Sequence, residues 1–446
     1  MLAASSDRLE TMTTDPSEAA ELVADAAPAP LSAFARQRIF LYLGVLIVLL
    51  AFGSPSGGLI DIPISFLLKN KLQLQAHEVA VFRLVAALPL YLSFAFGFIR
   101  DMWNPLGMRD RGLMLLFGGI SAALYVFFAF TPINYPTLLV AVVMLTTSFL
   151  FVASAQNGLT ALIGQLHAMT GQVSAAWNIF LSIPTVAALL AGGTLSGLLE
   201  EENAGQTVRI LFLVGAAIMG VVAVYSLWRP REVFDDIHVE YAAVQPPVES
   251  LKTLARHWPI YPALLIWFLW NFAPGSTTPL QYHLQNELHA TDAQWGQWNA
   301  IFAASFIPTF IAYGVLCRRL ALKTILVWGT VIAVPQMVPL LFIHSMAGAL
   351  IAAVPIGLMG GIATGAYLDL IIRSCPPGLQ GTTLMLANSL YFAVSRFGDL
   401  LGTHLYDHYG GFAICVLAIT VVYALILPVL LLVPNHLIAT ADRELA

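Results

Sequence analysis

The sequence predicts an all-α membrane protein with twelve transmembrane helices in two pseudo-symmetric bundles of six. Three observations lead to this prediction. The chain of 446 residues is 59% hydrophobic and only 10% charged, whereas charged residues make up about 25% of an ordinary soluble protein. Twelve hydrophobic segments are long enough to cross a bilayer. Landmark residues of the first half also recur in the second half at nearly constant spacing.

The predicted spans divide six and six around a polar linker. The first bundle covers residues 38–228, the linker 229–258 and the second bundle 259–433. An acidic, Ala/Pro-rich tail at 1–37 is expected to be disordered and cytoplasmic, because such a composition buries little apolar surface, and a second cytoplasmic tail follows at 434–446. The spans are expected at 38–68, 77–100, 111–130, 137–165, 171–199, 207–228, 259–286, 293–316, 322–344, 347–372, 379–407 and 411–433.

An internal repeat supports the two bundles. The segments PISFLLKNKL and PLQYHLQNEL coincide at one offset, a glycine before a basic loop recurs at nearly the same offset, and a Gly…Asn pair recurs at a slightly shorter one. Many secondary transporters are built from two such homologous halves. The pairs are Pro63/Pro279, Leu68/Leu284, Asn70/Asn286, Leu72/Leu288, Gly97/Gly314, Gly171/Gly381 and Asn178/Asn388.

Basic residues predict the orientation, because cytoplasmic loops carry an excess of Lys and Arg. With both termini in the cytoplasm, only Lys69, Lys71 and Arg209 fall in outside loops, and Arg83 and Arg396 fall within spans. The rest of the 20 Lys and Arg residues then lie on the inside. We therefore expect a multi-pass protein of a cell membrane, the inner membrane of a bacterium, with cytoplasmic termini.

The seventh span contains what a helix in hydrocarbon avoids. Its apolar run through Trp267 and Trp270 is interrupted by polar and turn-forming residues. Free backbone groups at membrane depth are tolerated only where they are buried in protein or line a water-filled cavity. This span is therefore expected to face a pathway. The interrupting residues are Asn271, Pro274, Gly275, Ser276, Thr277, Thr278 and Pro279.

Enzymatic chemistry is not predicted. The sequence has no GxxxxGK[ST] motif for ATP hydrolysis and no HExxH motif. Its three cysteines show neither metal-ligand spacing nor a disulfide framework. We expect no cofactor, no metal and no nucleic-acid partner. The expected partners are the lipid bilayer, a small-molecule solute and protons.

The loop after the second span resembles that of the major facilitator superfamily. Gly97-Phe-Ile-Arg-Asp101 is followed there by Arg109 and Arg111. The resemblance implies the major facilitator fold, alternating access to a central site and a cytoplasmic latch formed by Asp101 among the basic residues Arg109 and Arg111. In the second half, Arg318 stands where the matching acid would be, so only the first latch is expected to work in the usual way.

Within that superfamily, the chain is similar to the folate-biopterin transporter family. The similarity lies in Leu269-Trp-Asn-Phe-Ala-Pro-Gly275, in the Arg318-Arg319-Leu loop and in Cys375-Pro-Pro-Gly-Leu-Gln-Gly-Thr382. It implies a symporter that takes up a folate or pterin, with protons. We expect the protein to be a monomer. Two alternatives stay open: an exporter or importer of another solute, such as a siderophore, a muropeptide or a drug, and a non-transporting membrane assembly factor.

Charged residues within spans are candidates for the solute or proton path, because such a residue costs about 3 kcal/mol or more near the bilayer centre. Asp61 and Arg83 lie at similar depth in adjacent spans. Asp61 is expected to exchange a proton or bind solute, and Arg83 to hold an anionic group. A structural ion pair between the two spans is the alternative.

Two further charged pairs lie in the second half. Arg396 and Asp399 share a face of the eleventh span, with Arg396 as a candidate solute ligand and Asp399 as a candidate proton carrier, or else with the two as a local salt bridge. Asp369 and Arg373 lie one turn apart near the cytoplasmic end of the tenth span. A gate or helix-end contact is the first interpretation of that pair, and Asp369 is a second candidate proton carrier.

Uncharged polar and aromatic residues complete the candidate solute site. Amides can bind a solute, or they can only join neighbouring helices, and aromatic rings can stack on a planar solute or only pack. Both interpretations stay open for each residue. The candidates are Gln156, Asn157, Trp177, Asn178, Trp270, Asn271, Gln281, Tyr367, Asn388 and Tyr391.

Overall fold

A computed structural model describes residues 31–56, 60, 64, 68, 72, 76–132, 134–200, 204–234 and 246–442 of the chain. Every regular element in these ranges is a helix. The first half contains α1 (Ala33–Gly53), α2 (Ala76–Ala86), α3 (Leu88–Tyr91), α4 (Ser93–Met102), α5 (Asp110–Ala129), α6 (Tyr135–Leu166), α7 (Thr170–Glu200) and α8 (Ala204–Tyr225). The predicted linker contains α9 (Arg231–Phe234) and α10 (Pro247–Arg256).

The second half repeats the pattern. Its helices are α11 (Ile260–Asn271), α12 (Thr278–Tyr282) with a π-helical turn at His283–Glu287, α13 (Asp292–Arg319), α14 (Leu322–Ala333) with a 3-10 turn at Val338–Phe342, α15 (Met346–Ser374), α16 (Gln380–Tyr409), α17 (Gly411–Ala424), α18 (Ile426–Leu430) and α19 (Asn435–Ile438).

Within the part of the chain that the structure describes, eight helices are long and apolar enough to cross a membrane: Ala33–Gly53, Asp110–Ala129, Tyr135–Leu166, Val208–Tyr225, Gln294–Arg319, Leu322–Phe342, Met346–Ser374 and Gly411–Leu430. The other four predicted spans are also helical. The second is divided into α2, α3 and α4, the fifth is α7, the seventh is divided into α11 and α12, and the eleventh is α16. An all-helical membrane protein is therefore what the structure shows, and the count of twelve spans stays a prediction.

Side chains that accept hydrogen bonds from the first turn define several helix starts, as expected for capping residues. Ser32 accepts from the Ala35 amide, so α1 begins five residues before the predicted span. Asn134 and Thr291 form capping boxes at α6 and α13, and Ser345 caps α15. Helix α16 has no capping side chain at its own N-cap residue, Leu379.

The predicted break in the seventh span is present. Helix α11 ends at Asn271, Gly275 has a φ of +105°, and the chain becomes helical again at Thr278. The second span is broken as well, at Ala87 and at Leu92. The amide of Phe94, just beyond that second break, donates to Ser389 Oγ of α16 at 2.9 Å. This bond crosses from the first bundle to the second, so a broken helix supplies a contact between the bundles.

The two bundles meet along two seams: α4 packs along α16, and α7 packs along α13 and α15. Glycine allows the close approach in the first seam. A Cβ on Gly97 would lie 2.4 Å from the Gly381 carbonyl oxygen and 2.8 Å from Met385 Cβ. No real side chain tolerates such distances. Gly97, near the end of the predicted second span, is therefore a point of contact between the two bundles.

Candidate functional site

A cavity of about 610 Å³ lies between the two bundles. Seven of the predicted spans line it, namely one, two, four and five of the first bundle and seven, ten and eleven of the second. On α1 and α7 the lining extends from mid-helix to Ser56 and Ala188, toward the ends remote from the chain termini. On α15 it reaches only Thr364 and Leu368. The cavity therefore extends from mid-membrane depth to one side of the molecule.

The opposite side, where the termini and the linker lie, is closed by polar contacts between the bundles. Gln165 Nε2 donates to the carbonyl oxygens of Ile372 and Cys375 at 2.9 and 2.8 Å. Ser174 Oγ donates to the Gly365 carbonyl oxygen at 2.7 Å. These are contacts between backbone of one bundle and side chains of the other, so they form only when the bundles approach on this side.

Aromatic rings line the cavity from both bundles. Trp177 lies on α7, whereas Trp267 and Trp270 lie on α11. The two α11 indoles are held in place: Trp267 Nε1 donates to the Ala387 carbonyl at 3.0 Å, and the Trp270 ring stacks on Tyr423 with centroids 4.6 Å apart. Fixed aromatic faces favour a planar solute, because rings stack with little loss of side-chain entropy on binding.

Amide side chains alternate with these rings, and their nitrogens are already used within the protein. Asn178 and Asn271 donate to the carbonyls of Ser174 and Trp267, one turn back on their own helices, at 2.9 and 2.8 Å. Gln156 Nε2 donates to Thr160 Oγ1 at 3.0 Å. The Thr160 hydroxyl gives its own hydrogen to the Gln156 carbonyl, so this oxygen can only accept from the amide.

The other two amides follow the same pattern. Asn157 Nδ2 lies 3.2 Å from the Met385 sulfur, and Asn388 Nδ2 lies 3.4 Å from Ser93 Oγ. Each of these bonds uses one of the two N–H groups of its amide, so the carbonyl oxygens and the second N–H groups can meet a solute. The cavity therefore presents hydrogen-bond acceptors and donors between aromatic faces.

Eight of the residues predicted to bind solute line this cavity, and they are contributed by four different helices. The sequence placed them at membrane depth, and the fold brings them to one space. They are Gln156, Asn157, Trp177, Asn178, Trp270, Asn271, Asn388 and Tyr391.

Asp61, another predicted solute ligand, lies outside the described residues. The other four predicted ligands do not line the cavity. Arg83 on α2 and Arg396 on α16 are exposed, and Gln281 is half-buried on α12. Tyr367 is buried behind the wall, where its hydroxyl is 2.7 Å from Thr330 Oγ1 and its ring meets the edge of Trp270.

Asp399 is not paired with Arg396 by the interactions described. One carboxylate oxygen accepts from the Thr278 amide at 2.9 Å and from the Thr277 hydroxyl, and the other accepts from the Thr278 hydroxyl at 2.8 Å. The carboxylate therefore caps α12, just after the break in the seventh span. Of the two interpretations of Arg396 and Asp399, the local salt bridge is not among the described contacts, because the open backbone of the broken helix offers Asp399 several donors at once.

A buried group of three charges closes the termini side near α4. The Arg100 guanidinium donates to both oxygens of Asp110 at 2.6 and 2.7 Å and to Asp101 at 2.6 Å. Asp101 also accepts from the Gly381 and Thr382 amides at 3.3 and 2.6 Å and from the Thr382 hydroxyl at 2.6 Å. Asp101 of the first bundle thus caps α16 of the second.

The basic side chain that bonds to Asp101 is Arg100, the residue before it on the same helix. Arg111 donates to the carbonyls of Ser226 and Leu227 at 2.8 Å, which satisfies the end of α8. Arg109 has a φ of +53°, and its amide donates to Asn104 Oδ1, so it shapes the turn before α5. Arg100 therefore contributes a basic contact to the latch that the sequence did not predict.

A second buried group of charges lies on the same side. Arg373 Nε is 3.0 Å from Asp369 Oδ1 and donates to Thr170 Oγ1 of the first bundle at 3.0 Å. Asp369 also accepts from the Tyr313 hydroxyl at 2.7 Å. The Arg373 Nη2 atom is 2.9 Å from Asp442 Oδ1 in the C-terminal tail. The pair predicted as a gate therefore lies where the two bundles and the tail meet.

Sequence reasoning missed Arg100, Asp110 and Asp442. Arg100 was visible as the neighbour of Asp101, but its burial, to 4% exposure, depends on room that Gly158 leaves on α6. A Cβ there would lie 2.4 Å from Arg100 Cζ. Asp442 lies in a segment that the sequence predicted only as a tail, and no local pattern marked it.

Two helical bundles around a central cavity, closed on one side by contacts between the bundles, define a membrane transporter and not an enzyme. The chain belongs to the Major Facilitator Superfamily, because the model of that family matches residues 170–398. The protein is therefore a membrane transporter of this superfamily.

Individual relatives agree with this placement. The chain is 23% identical over 387 residues to the folate-biopterin transporter of Synechocystis sp., covering 81% of this chain and 75% of that protein. The crystal structure of the transporter FucP in the outward conformation covers 89% of this chain and 98% of its own, with a TM-score of 0.68 at 16% identity. The human organic anion transporter MFSD10 (TETRAN) covers 88% and 98%, with a TM-score of 0.59 at 16% identity.

Proposed function

We propose that this protein is a secondary transporter that takes up a planar, nitrogen-rich organic solute with protons, with a pterin or folate as the first candidate. The observation that carries the proposal is the cavity of about 610 Å³ between the bundles, lined by rings and amide oxygens. A rocking motion of two homologous halves about such a site gives alternating access. The closed side, with the termini, is the predicted cytoplasmic side, so this conformation faces outward.

The walls of the cavity support a ring-bearing solute. Indoles from both bundles offer faces for stacking. The oxygens of the five amides are acceptors, so they complement a heterocycle with N–H groups along its edge. A pterin has such an edge, and the relative from Synechocystis sp. is a folate-biopterin transporter. A flat amino-heterocycle is therefore the class of solute that fits best.

Binding is tested with purified protein in detergent, using thermal unfolding in the presence of pterins, folates, other ring-bearing anions and siderophores. A ligand that binds the folded state raises the unfolding midpoint by mass action. We expect a pterin or a folate to raise it. Stabilisation by another class of compound, with pterins and folates silent, would leave the transporter and replace its solute.

We expect Asn178→Leu to weaken solute binding by about tenfold, because a lost hydrogen bond to a buried partner costs about 1–3 kcal/mol. The matched control is Asn299→Leu. Asn299 on α13 makes the same bond, from Nδ2 to the carbonyl one turn back, at 2.9 Å, but it does not line the cavity. Titration of each variant with the solute measures the difference. Equal affinity in the two variants would remove Asn178 from the site.

Proton coupling is tested on membrane vesicles with an imposed pH gradient. We expect an inward proton gradient to drive accumulation of the solute and its dissipation to stop accumulation, while exchange of labelled for unlabelled solute continues. The acids available for this role are Asp61, Asp369 and Asp399. Uptake that does not respond to the gradient would reject coupling to protons and leave facilitated transport.

A further inference from the structure

The repeat in the sequence assigns an equivalent to each residue of the first latch. Gly97 pairs with Gly314 and Gly171 with Gly381, so Asp101 corresponds to Arg318 and Arg100 corresponds to Cys317. In the first latch, Asp101 accepts hydrogen bonds from the Gly381 and Thr382 amides. The symmetric contact would join the Arg318 position to the start of α7, but an arginine there has no acceptor to offer.

The structure places a different carboxylate at the start of α7. Asp442 Oδ1 accepts from the Gly171 amide at 3.3 Å, and Asp442 Oδ2 accepts from the Gln172 amide at 2.9 Å. Its own amide donates to the Cys317 carbonyl at 2.8 Å. The C-terminal tail thus binds beside Arg318, and its carboxylate reaches the two amides that the missing acid would have reached.

The environments of the two carboxylates also correspond. Arg100 lies between Asp101 and Asp110, and Arg373 contacts both Asp369 and Asp442. The tail is held further by Arg373 Nη1, which donates to the Leu437 and Thr440 carbonyls at 3.1 and 3.0 Å. The four acidic residues of the two groups are all buried, and none of them has more than 6% of its surface exposed.

Glycine makes room for both carboxylates. A Cβ on Gly381 would lie 2.7 Å from Asp101 Oδ1 and 2.8 Å from Arg100 Cδ. A Cβ on Gly171 would lie 3.1 Å from Asp442 Oδ2 and 2.7 Å from Cys317 Cβ. The same close approach of a capping acid and a neighbouring helix is therefore built at the start of α7 and at the start of α16.

We propose that the tail segment 439–442 completes the second latch of this transporter, with Asp442 in the role of the acid that Arg318 replaces. The tail binds when the bundles close on the termini side and leaves when they separate there. Asp442 is a positioning residue in this scheme, because it contacts no solute. The proposal rests on the alternating access proposed above, but it does not depend on which solute is carried.

Native cysteines report the opening of this side without any solute. Cys317 lies under the tail, Cys375 lies beside the first latch, and Cys415 lies on the opposite side of the membrane span. All three are buried. Three variants that each keep one of them, with the other two changed to Ala, allow alkylation by N-ethylmaleimide to be followed at one position at a time.

We expect Asp442→Ala to raise the alkylation rates of Cys317 and Cys375 by about tenfold, within the range of coupling energies between linked sites, and to leave Cys415 unchanged. Removal of residues 439–446 should do the same. Faster alkylation of Cys317 alone would show a lost local cover and would overturn the latch. So would unchanged rates at both positions.

The equivalence of Asp442 and the missing acid has its own test. Arg318→Asp, combined with Asp442→Ala, returns an acid to the position that corresponds to Asp101. We expect this second change to restore slow alkylation of Cys317 and Cys375. If rates stay high in the double variant although it unfolds at the temperature of Asp442→Ala, Asp442 does not replace that acid.

A pH dependence accompanies the latch. Asp442 lies near Asp369 and Arg373 on α15 and near Tyr313 and Cys317 on α13, while α7 contributes the amides of Gly171 and Gln172. Burial and the Asp369 carboxylate raise the pKa of Asp442 to about 7, against the lowering effect of Arg373. A free Asp has a pKa of about 3.9. Between about pH 4 and pH 7, the bound tail therefore holds a proton on Asp442 that the free tail has released.

It follows that tail binding is strongest below about pH 4 and weakens by up to about tenfold per pH unit until about pH 7, where it levels off. Asp442→Asn resembles the protonated form and is expected to show no such change. The ratio of Cys375 alkylation in the two proteins at each pH cancels the pH dependence of the thiol itself. A constant ratio between pH 5 and pH 8 would reject the titration of Asp442 in the latch.

Discussion

Arg100→Ala is expected to abolish transport and to lower the free energy of unfolding by about 3–5 kcal/mol, the range for a buried ion pair that loses one partner. The guanidinium is 1% exposed and bonds to Asp101 and Asp110 at 2.6 Å. Without it, two buried carboxylates face each other with no positive charge between them. Uptake in vesicles and the midpoint of thermal unfolding measure the two effects.

The control for Arg100→Ala is Lys252→Ala on α10. Lys252 also forms an ion pair, with Glu249 at 2.8 Å, but both side chains are more than half exposed. Exposed pairs contribute little, because water solvates the separated charges well. We expect this variant to transport and unfold as the wild type does. An Arg100→Ala protein with the same unfolding midpoint as Lys252→Ala would show that the buried group of charges does not stabilise the closed side.

Gly97→Ala is expected to abolish transport by a different route, because it prevents α4 and α16 from approaching. The added methyl group would lie 2.4 Å from the Gly381 carbonyl oxygen, and the carbonyl belongs to backbone that cannot rotate away. Overpacking of this kind typically costs about 1–3 kcal/mol. The cost falls on the closed conformation alone, since the contact exists only there.

Gly119→Ala on α5 is the matched control, because a Cβ at that exposed position meets no atom within 4 Å. Both substitutions give a helix the same gain in intrinsic propensity, about 1 kcal/mol. We expect Gly97→Ala to raise the alkylation rate of Cys375 and to stop uptake, and Gly119→Ala to change neither. Normal uptake by Gly97→Ala would mean that the bundles do not need this contact during the transport cycle.

The sequence predicted those features that a single segment determines. The polar interruption after Trp270 predicted a broken seventh span, because free backbone groups need a protein or water partner at any position in a membrane. Amides at mid-span depth predicted polar residues facing inward. The repeat predicted two bundles, since residue identities at fixed offsets do not depend on how the chain packs.

The sequence predicted less well those contacts that depend on how the faces of two helices are oriented toward each other. The depths of Arg83, Gln281 and Arg396 in their spans followed from the sequence, but their faces did not, and the fold directs them away from the cavity. Arg100 was not predicted as a partner of Asp101 for the same reason. The position of Asp442 depends on the meeting of three helices with the tail, which no local pattern records.

The contact between Ser93 and Ser389 has a mechanical consequence. Their hydroxyls lie 2.8 Å apart, and Ser93 Oγ also donates to the Met385 carbonyl at 3.1 Å. Ser93 begins α4, so the rigid arm from this point to Asp101 is eight residues, or about 12 Å at 1.5 Å per residue. We expect the contact between Ser93 and Ser389 to be the pivot about which α4 tilts relative to α16. A tilt of this arm by about ten degrees would move Asp101 by about 2 Å over that length, enough to break its hydrogen bonds to α16 while the pivot stays in contact.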